Sequence, residues 1–255
     1  MTATIEAPPW RPILADGARA QALDVAGEIA DALRDPAHRR AQPSLWDGNA
    51  GVAIFFAYLH EALPDRGYDD AATGLVDRVI DAVAAEPLGP SLYRGITGVA
   101  WMLDHLRGRV LDADDEDANE DVDAAILELM RSPWRDRYDL FDGLVGFGLY
   151  ALTRLPRPEA AACLELVVDQ LAATAERRPE GLTWKTGPEL MIPELRARFP
   201  NGNYTVGPAH GVAGVIALLA AACAAGIGLA LLAAATAIAP AWDSALLLSP
   251  WHGRA

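Results

Sequence analysis

One short pattern recurs four times along the chain, each time at the head of an apolar run. It reads Ser44-Leu-Trp-Asp-Gly48-Asn-Ala-Gly51, Ser91-Leu-Tyr-Arg-Gly95-Ile-Thr-Gly98, Asp139-Leu-Phe-Asp-Gly143-Leu-Val-Gly146 and Gly207-Pro-Ala-His-Gly211-Val-Ala-Gly214. The first glycines stand 47, 48 and 68 residues apart, so the last interval carries an insertion. Units of this length bury a continuous core only by stacking on one another, and they decide the fold before any other feature.

Amphipathic stretches lie before and between the apolar runs. Leu75, Val76, Val79, Ile80 and Val83 form one stripe at helical spacing, and Val122, Ile126, Leu129 and Met130 form another. Leu164, Val167, Val168 and Leu171 repeat the pattern, as do Leu23, Ala26, Ile29 and Leu33 before the first unit. A helix apolar all round belongs inside, and a helix with one stripe belongs outside. Alternating the two predicts an all-α fold, an α/α toroid with inner helices wrapped by outer ones, in a single domain over 1–255. The glycines let the inner-helix starts pack closely at one rim.

The net charge of −14 excludes a nucleic-acid binder, which needs a basic face to displace counterions. The acidic residues from Asp112 to Asp123 read as a solvated loop entering a helix N-terminus, where carboxylates are favoured. Two cysteines, Cys163 and Cys223, cannot build a disulfide scaffold in a chain this long. The first ten residues have neither a basic nor an apolar signal-peptide region, which predicts a cytoplasmic protein. Residues 211–242 carry no charge at all, a composition that fits a membrane span or two abutting buried helices. Its Ala and Gly content and the lack of basic flanks favour the buried helices, so no membrane span is expected.

The residue before each first glycine is polar: Asp47, Arg94, Asp142 and His210. Four such side chains at equivalent places on one rim would converge on the mouth of the toroid. His210 can move a proton near neutral pH, or merely cap a helix. Asp139 fills the slot of Ser44 and Ser91, and all three are good helix caps. Asp47 and Asp142 could pair as glycosidase carboxylates or be ordinary solvated loop residues. Trp46, Tyr93 and Phe141 share one slot and read most simply as core.

Together with Gly181-Leu-Thr-Trp-Lys-Thr-Gly-Pro-Glu-Leu190 and Phe199-Pro-Asn-Gly-Asn-Tyr-Thr-Val-Gly-Pro-Ala-His-Gly211, the four units resemble the lanthionine synthetase C-like family over about residues 40–215. The resemblance implies an α/α-toroid zinc enzyme of lanthipeptide biosynthesis. Such a cyclase adds a peptide cysteine thiol to dehydroalanine or dehydrobutyrine in the same dehydrated precursor peptide, closing a thioether ring. By the resemblance, His210 is the family's acid/base histidine and Asp139 the aspartate that assists it or the thiol. The segment 181–206 would be the rim insertion that helps shape the peptide site. A lanthipeptide dehydratase is the further partner implied.

The chain departs from the family at the zinc ligands, which are two cysteines and a histidine in the family's fifth and sixth repeats. Residues 226–238 resemble a fifth repeat that begins only 12 residues after Gly214, and Cys223 stands two residues from the aligned cysteine position. Residues 249–255 resemble the start of a sixth, with Trp251 at the cysteine position and His252 at the histidine. One ligand of three cannot hold a catalytic zinc. The expectation is an incomplete ring of about five inner helices, truncated and internally shortened, with exposed apolar inner surface and impaired zinc-dependent activity. A non-catalytic module that binds the peptide or the dehydratase is the alternative, and a toroidal glycosidase is a second. The expected zinc content of the purified protein is well below one per chain. Metal analysis giving about one zinc, lost on changing His252 or Cys223, would overturn that expectation.

Overall fold

The computed structural model describes residues 12–35, 42–113, 116–179 and 181–235, with side chains through Ala225. In chain order the helices are α1 (Asp16–Arg34), α2 (Asn49–Ala62), α3 (Tyr68–Ala85), α4 (Ile96–Leu106), α5 (Glu120–Met130), α6 (Leu144–Arg154) and α7 (Pro158–Thr174). A short antiparallel hairpin of β1 (Glu176–Arg178) and β2 (Gly181–Thr183) follows, then α8 (Pro193–Arg198) and α9 (Val212–Ala235). The apolar helices α2, α4, α6 and α9 touch in sequence, each packing on the next. Helices α1 and α3 lie against α2, α5 against α4, and α7 against α6. This is the inner and outer layering of an α/α toroid, with four inner helices among the described residues.

Each inner helix starts by one device, and the device explains the glycine pairs. Side chains do not cap α2, α4 or α6. Instead the rim loop folds back, so that a loop carbonyl accepts the first helical N–H. Asn49 N donates to Gln42 O at 2.8 Å, Ile96 N to Gly89 O at 2.8 Å, Leu144 N to Arg137 O at 3.3 Å and Val212 N to Thr205 O at 3.0 Å. The spacing is seven residues every time, and it satisfies a donor that would otherwise be an orphan of the helix end. That same carbonyl lies where a Cβ on the preceding glycine would sit, at Gly48, Gly95, Gly143 and Gly211. The second glycine of each pair faces the carbonyl six residues before it in the same way, and all eight would-be Cβ atoms fall within 2.6 Å of one.

The second glycines also seat the neighbouring unit. Leu45 reaches the open face of Gly98, and Leu92 reaches that of Gly146. Backbone bonds then link the rim loops in series: Trp46 N to Tyr93 O at 3.0 Å, Tyr93 N to Phe141 O at 3.3 Å and Leu140 N to Ala209 O at 3.1 Å. The core beneath falls into two clusters. One is built on Phe56, Tyr68, Val79 and Met102, the other on Met130, Phe147, Val167 and Val215. The amphipathic stripes face inward as their spacing predicts, except that Ile29 and Ile80 are each about half exposed.

Two expectations need correction. Gly226 and Gly228 do not divide the uncharged run into two helices, because α9 continues unbroken to Ala235. No proline or capping residue interrupts it, and the Ala and Leu around the two glycines offset a cost of about 1 kcal/mol each. The residues assigned to the head of a fifth inner helix thus extend the fourth, and residues 236–238 lie outside the described residues. No helix among the described residues is long and apolar enough to cross a membrane. Inner-helix apolar side chains are exposed at Tyr58, Leu149 and Ile216.

The acidic segment is also not wholly solvated. Arg154, fully buried at the end of α6, gathers Asp123 at 2.7 Å, Asp104 at 2.9 Å and Asp117 at 2.6 Å. Tyr150 donates to Asp123 at 2.6 Å, and Arg157 pairs with Asp117 at 2.5 Å. Burial by itself would disfavour the Arg154 charge, but the hydrogen bonds to Asp123 and Asp117 raise its pKa and keep it charged. Burial first, then the bond to Asp123, pushes the Tyr150 phenol up, so it remains a donor. Burial works against ionised Asp117, yet the Arg154 bond and the Asn119 N–H hold its carboxyl below the ordinary value.

Two outcomes test this architecture. Gly95→Ala should lose about 3 kcal/mol or more by forcing the rim loop off the helix, whereas Gly89→Ala, with open space around it, should change stability by less than about 0.5 kcal/mol in urea titrations. Arg154→Met should cost about 3–5 kcal/mol, because it leaves the buried Asp123 carboxylate without a cation. Asp117 titrates below its unfolded value, so its contribution is complete above the ordinary carboxylate range and vanishes as pH falls through the folded value. The same variant should therefore show a shallower loss of stability in acid than the parent chain.

Candidate functional site

All four rim loops and the insertion converge on one cavity of about 430 Å³. His210 stands on it at the head of α9, and its Nδ1 lies 2.9 Å from Asp139 Oδ2. Asp139 is buried, while the His210 side chain is half exposed. The two residues come from loops 71 positions apart and meet because the rim loops are hydrogen-bonded edge to edge.

Asp139 caps no helix, contrary to the simplest reading of its slot; Gly143 is the residue at the α6 N-cap. Its Oδ1 instead accepts the backbone N–H groups of Phe141 at 3.1 Å and Asp142 at 2.9 Å. Because the carboxylate takes the Phe141 N–H, the rim bond to Ala209 O is made by Leu140, one residue earlier. This turn fixes the carboxylate plane and leaves Oδ2 for the imidazole. A carboxylate only accepts, so Nδ1 carries the proton and Nε2 is left as the acceptor nitrogen of the ring. That pairing is the arrangement of an oriented acid/base histidine.

Two residues missed by sequence reasoning support the pair. Arg137 places Nη1 3.7 Å from Asp139 Oδ2 and Nε 4.0 Å from Asp142 Oδ2, and donates through Nη2 to Leu190 O in the insertion. It therefore ties the third rim loop to the segment that roofs the cavity. Tyr138 donates to the His210 carbonyl at 3.4 Å. Burial, then the charge of Asp139, pushes its phenol up, which keeps it a donor. Both lie immediately before Asp139 in the chain, but neither belongs to the recurring slots, so the repeat carried no signal for them.

The other rim residues divide. Arg94, Asp142 and Trp46 line the same cavity as His210. Asp47 is exposed and does not line it; its carboxylate accepts the Ser44 hydroxyl at 2.7 Å. Asp142 sits 4.0 Å from both Arg94 and Arg137. Trp46 is 60% exposed and stands edge-on to Phe141 with ring centres 5.0 Å apart, so it is a wall of the mouth rather than core. Tyr93 is half-buried and stacks on Phe141 at 4.6 Å. The insertion contributes Thr186, Met191, Ile192, Leu195, Asn203 and Thr205 to the lining.

The zinc that the family resemblance implies finds no matching donor set among the described residues. Cys223 is exposed on α9, about 16 Å along the helix from Val212 at the standard rise. It borders a separate apolar groove with Leu171, Leu182 and Leu219, where the one charged neighbour among the described residues is the cation of Arg177. A guanidinium beside a thiol does not suit a second cation. Cys163 is buried, and desolvation, then the charge of Asp123, pushes its thiol up to about 12. Among the described residues no three His, Cys, Asp or Glu side chains gather as a metal site. His252 lies outside the described residues.

The fold and site define an α/α-toroid protein with a buried carboxylate orienting a histidine at the rim. Residues 40–246 match the family description "Lanthionine synthetase C-like protein", and the chain belongs to that family. Among solved structures it is similar to a protein described as nisin cyclase, with a TM-score of 0.63 and 20% sequence identity. The match covers 90% of this chain but 56% of that one, so the chain spans little more than half the length of the cyclase it resembles. No curated protein matches.

Proposed function

We propose that the chain takes a dehydrated precursor peptide at the rim cavity and handles the proton in thioether formation, the reaction associated with lanthipeptide cyclases. Family membership and the nisin cyclase likeness support the reaction class. The observation that carries the reading is the buried Asp139 carboxylate 2.9 Å from His210 Nδ1, with the ring edge open to the cavity. The thiol sulfur bonds to the β-carbon of the dehydro residue, and the double-bond electrons move to the α-carbon and carbonyl as an enolate. The thiol proton passes to His210 Nε2 and from the imidazolium to the α-carbon. The net change is addition of S–H across C=C, with no other reactant. Asp139 keeps the ring in the tautomer that presents Nε2 and stabilises the charged intermediate. Arg137 holds Asp139 in place.

No step is assigned to a metal, since the described residues do not supply its ligands. Zinc in the family would lower the thiol pKa and deliver thiolate. Without it, few peptide thiols are ionised at neutral pH, so a slow reaction is expected.

A synthetic peptide carrying one cysteine and one dehydroalanine, incubated with the protein, should lose its free thiol faster than in buffer. His210→Ala and Asp139→Asn should each lower the protein-dependent rate by roughly 100-fold, the scale of general acid–base catalysis. Variants that keep the parental rate would remove the proton-handling role. Peptide binding without any rate above buffer would instead make the chain a non-catalytic binding module.

A further inference from the structure

The rim cavity is lined by both polar and apolar side chains, and the dyad accounts only for the polar ones. Trp46 is 60% exposed, Ile192 56% and Leu195 41%, and all three line the cavity that His210 borders. Phe141 and Met191, both buried, line it as well. Single exposed apolar residues are ordinary, but several gathered at one concave site mark a contact surface. The geometry points to a subsite for an apolar peptide side chain adjoining the residue that reacts at His210, so that the preferred substrates carry a bulky apolar residue beside the dehydro residue. This inference rests on the peptide-cyclising reading above and adds the substrate class.

The wall is held in place before anything binds. Trp46 is fixed by its backbone bond to Tyr93 O and by edge contacts to Phe141 and Tyr93. The turn that carries Ile192 is pinned from both sides. Arg137 donates to Leu190 O, and Arg196 donates to Pro188 O at 2.8 Å and Met191 O at 3.1 Å. Pro193 then starts α8, whose third residue is Leu195. Apolar side chains held open by charged hydrogen bonds cannot collapse onto one another, so their contact surface remains for a ligand. An aspartate or glutamate placed there would lose water without gaining a partner.

The test uses the whole chain and cysteine-free peptides, which cannot cyclise. Acetylated hexapeptide amides with a central dehydroalanine followed by Leu, Phe, Gly or Asp are titrated by calorimetry. The Leu and Phe peptides should bind about tenfold tighter than the Gly peptide, and the Asp peptide more weakly still. In the double variant Ile192→Ser/Leu195→Ser, and separately in Trp46→Ala, the Leu and Gly peptides should bind within twofold of each other. Ile80→Ser, equally apolar and exposed on α3, should keep the parental preference. Equal affinities in the parent chain, no measurable binding, or a preference that survives all variants would overturn the subsite. A preserved preference with no thioether formation from cysteine-containing versions would uphold the subsite and remove the cyclase reading. Equal binding with active cyclisation would do the reverse.

Discussion

A carbonyl oxygen that must occupy the place of a side chain organises this molecule. Each inner helix is capped by the backbone of its own rim loop, seven residues back, and the loop can approach only because the residue before the helix has no Cβ. The glycine pair is thus a steric requirement of a capping scheme that uses no side chain. That leaves the loop side chains free of capping duty and able to face the mouth. The rim loops, brought close by the same contact, bond to one another and carry the register of one unit to the next. The meeting of Asp139 with His210 follows from that register.

Buried charge is handled in two places with different outcomes. Around Arg154 three carboxylates and two guanidiniums satisfy one another and pin α6 to the ends of α4 and α5. Removing a member there leaves uncompensated charge, so the cluster gives rigidity and offers nothing to a ligand. Asp139 is as deeply buried, but its partners are two backbone N–H groups, Arg137 and a histidine that is half exposed. Through that histidine the buried carboxylate is linked to the cavity, as the Arg154 cluster is not. The same Arg137 reaches the insertion, so the Asp139–His210 pair and the roof of the cavity share a support.

The repeat made the inner helices legible, because an apolar run behind two glycines has few other uses. The outer stripes were equally legible from their period. Less was visible where one residue departed from its slot's common role. Asp139 stands in the place of two serines and, like Ser44, accepts the N–H three residues on, yet it also bonds a histidine from another unit. Trp46, Tyr93 and Phe141 share a slot, but their exposure grades from a wall to a core position. Asp117 and Asp123 sit in an acidic run and still turn inward, because a lone arginine ends the neighbouring buried helix. The two glycines in α9 carried the signature of a break, and the helix formers around them prevailed.

Local chemistry in the sequence determined the repeating helix pairs, the crowded rim and the candidates His210 and Asp139, since period, glycine spacing and residue type act over a few residues. Tertiary structure alone decided that Asp142 and Arg94 share the mouth while Asp47 does not, that Arg137 and Tyr138 support the pair, and that Cys223 lies on another face. Those outcomes depend on which loops touch across dozens of residues and on where a helix points a side chain three turns from its start. Neither is encoded in any short window of the chain.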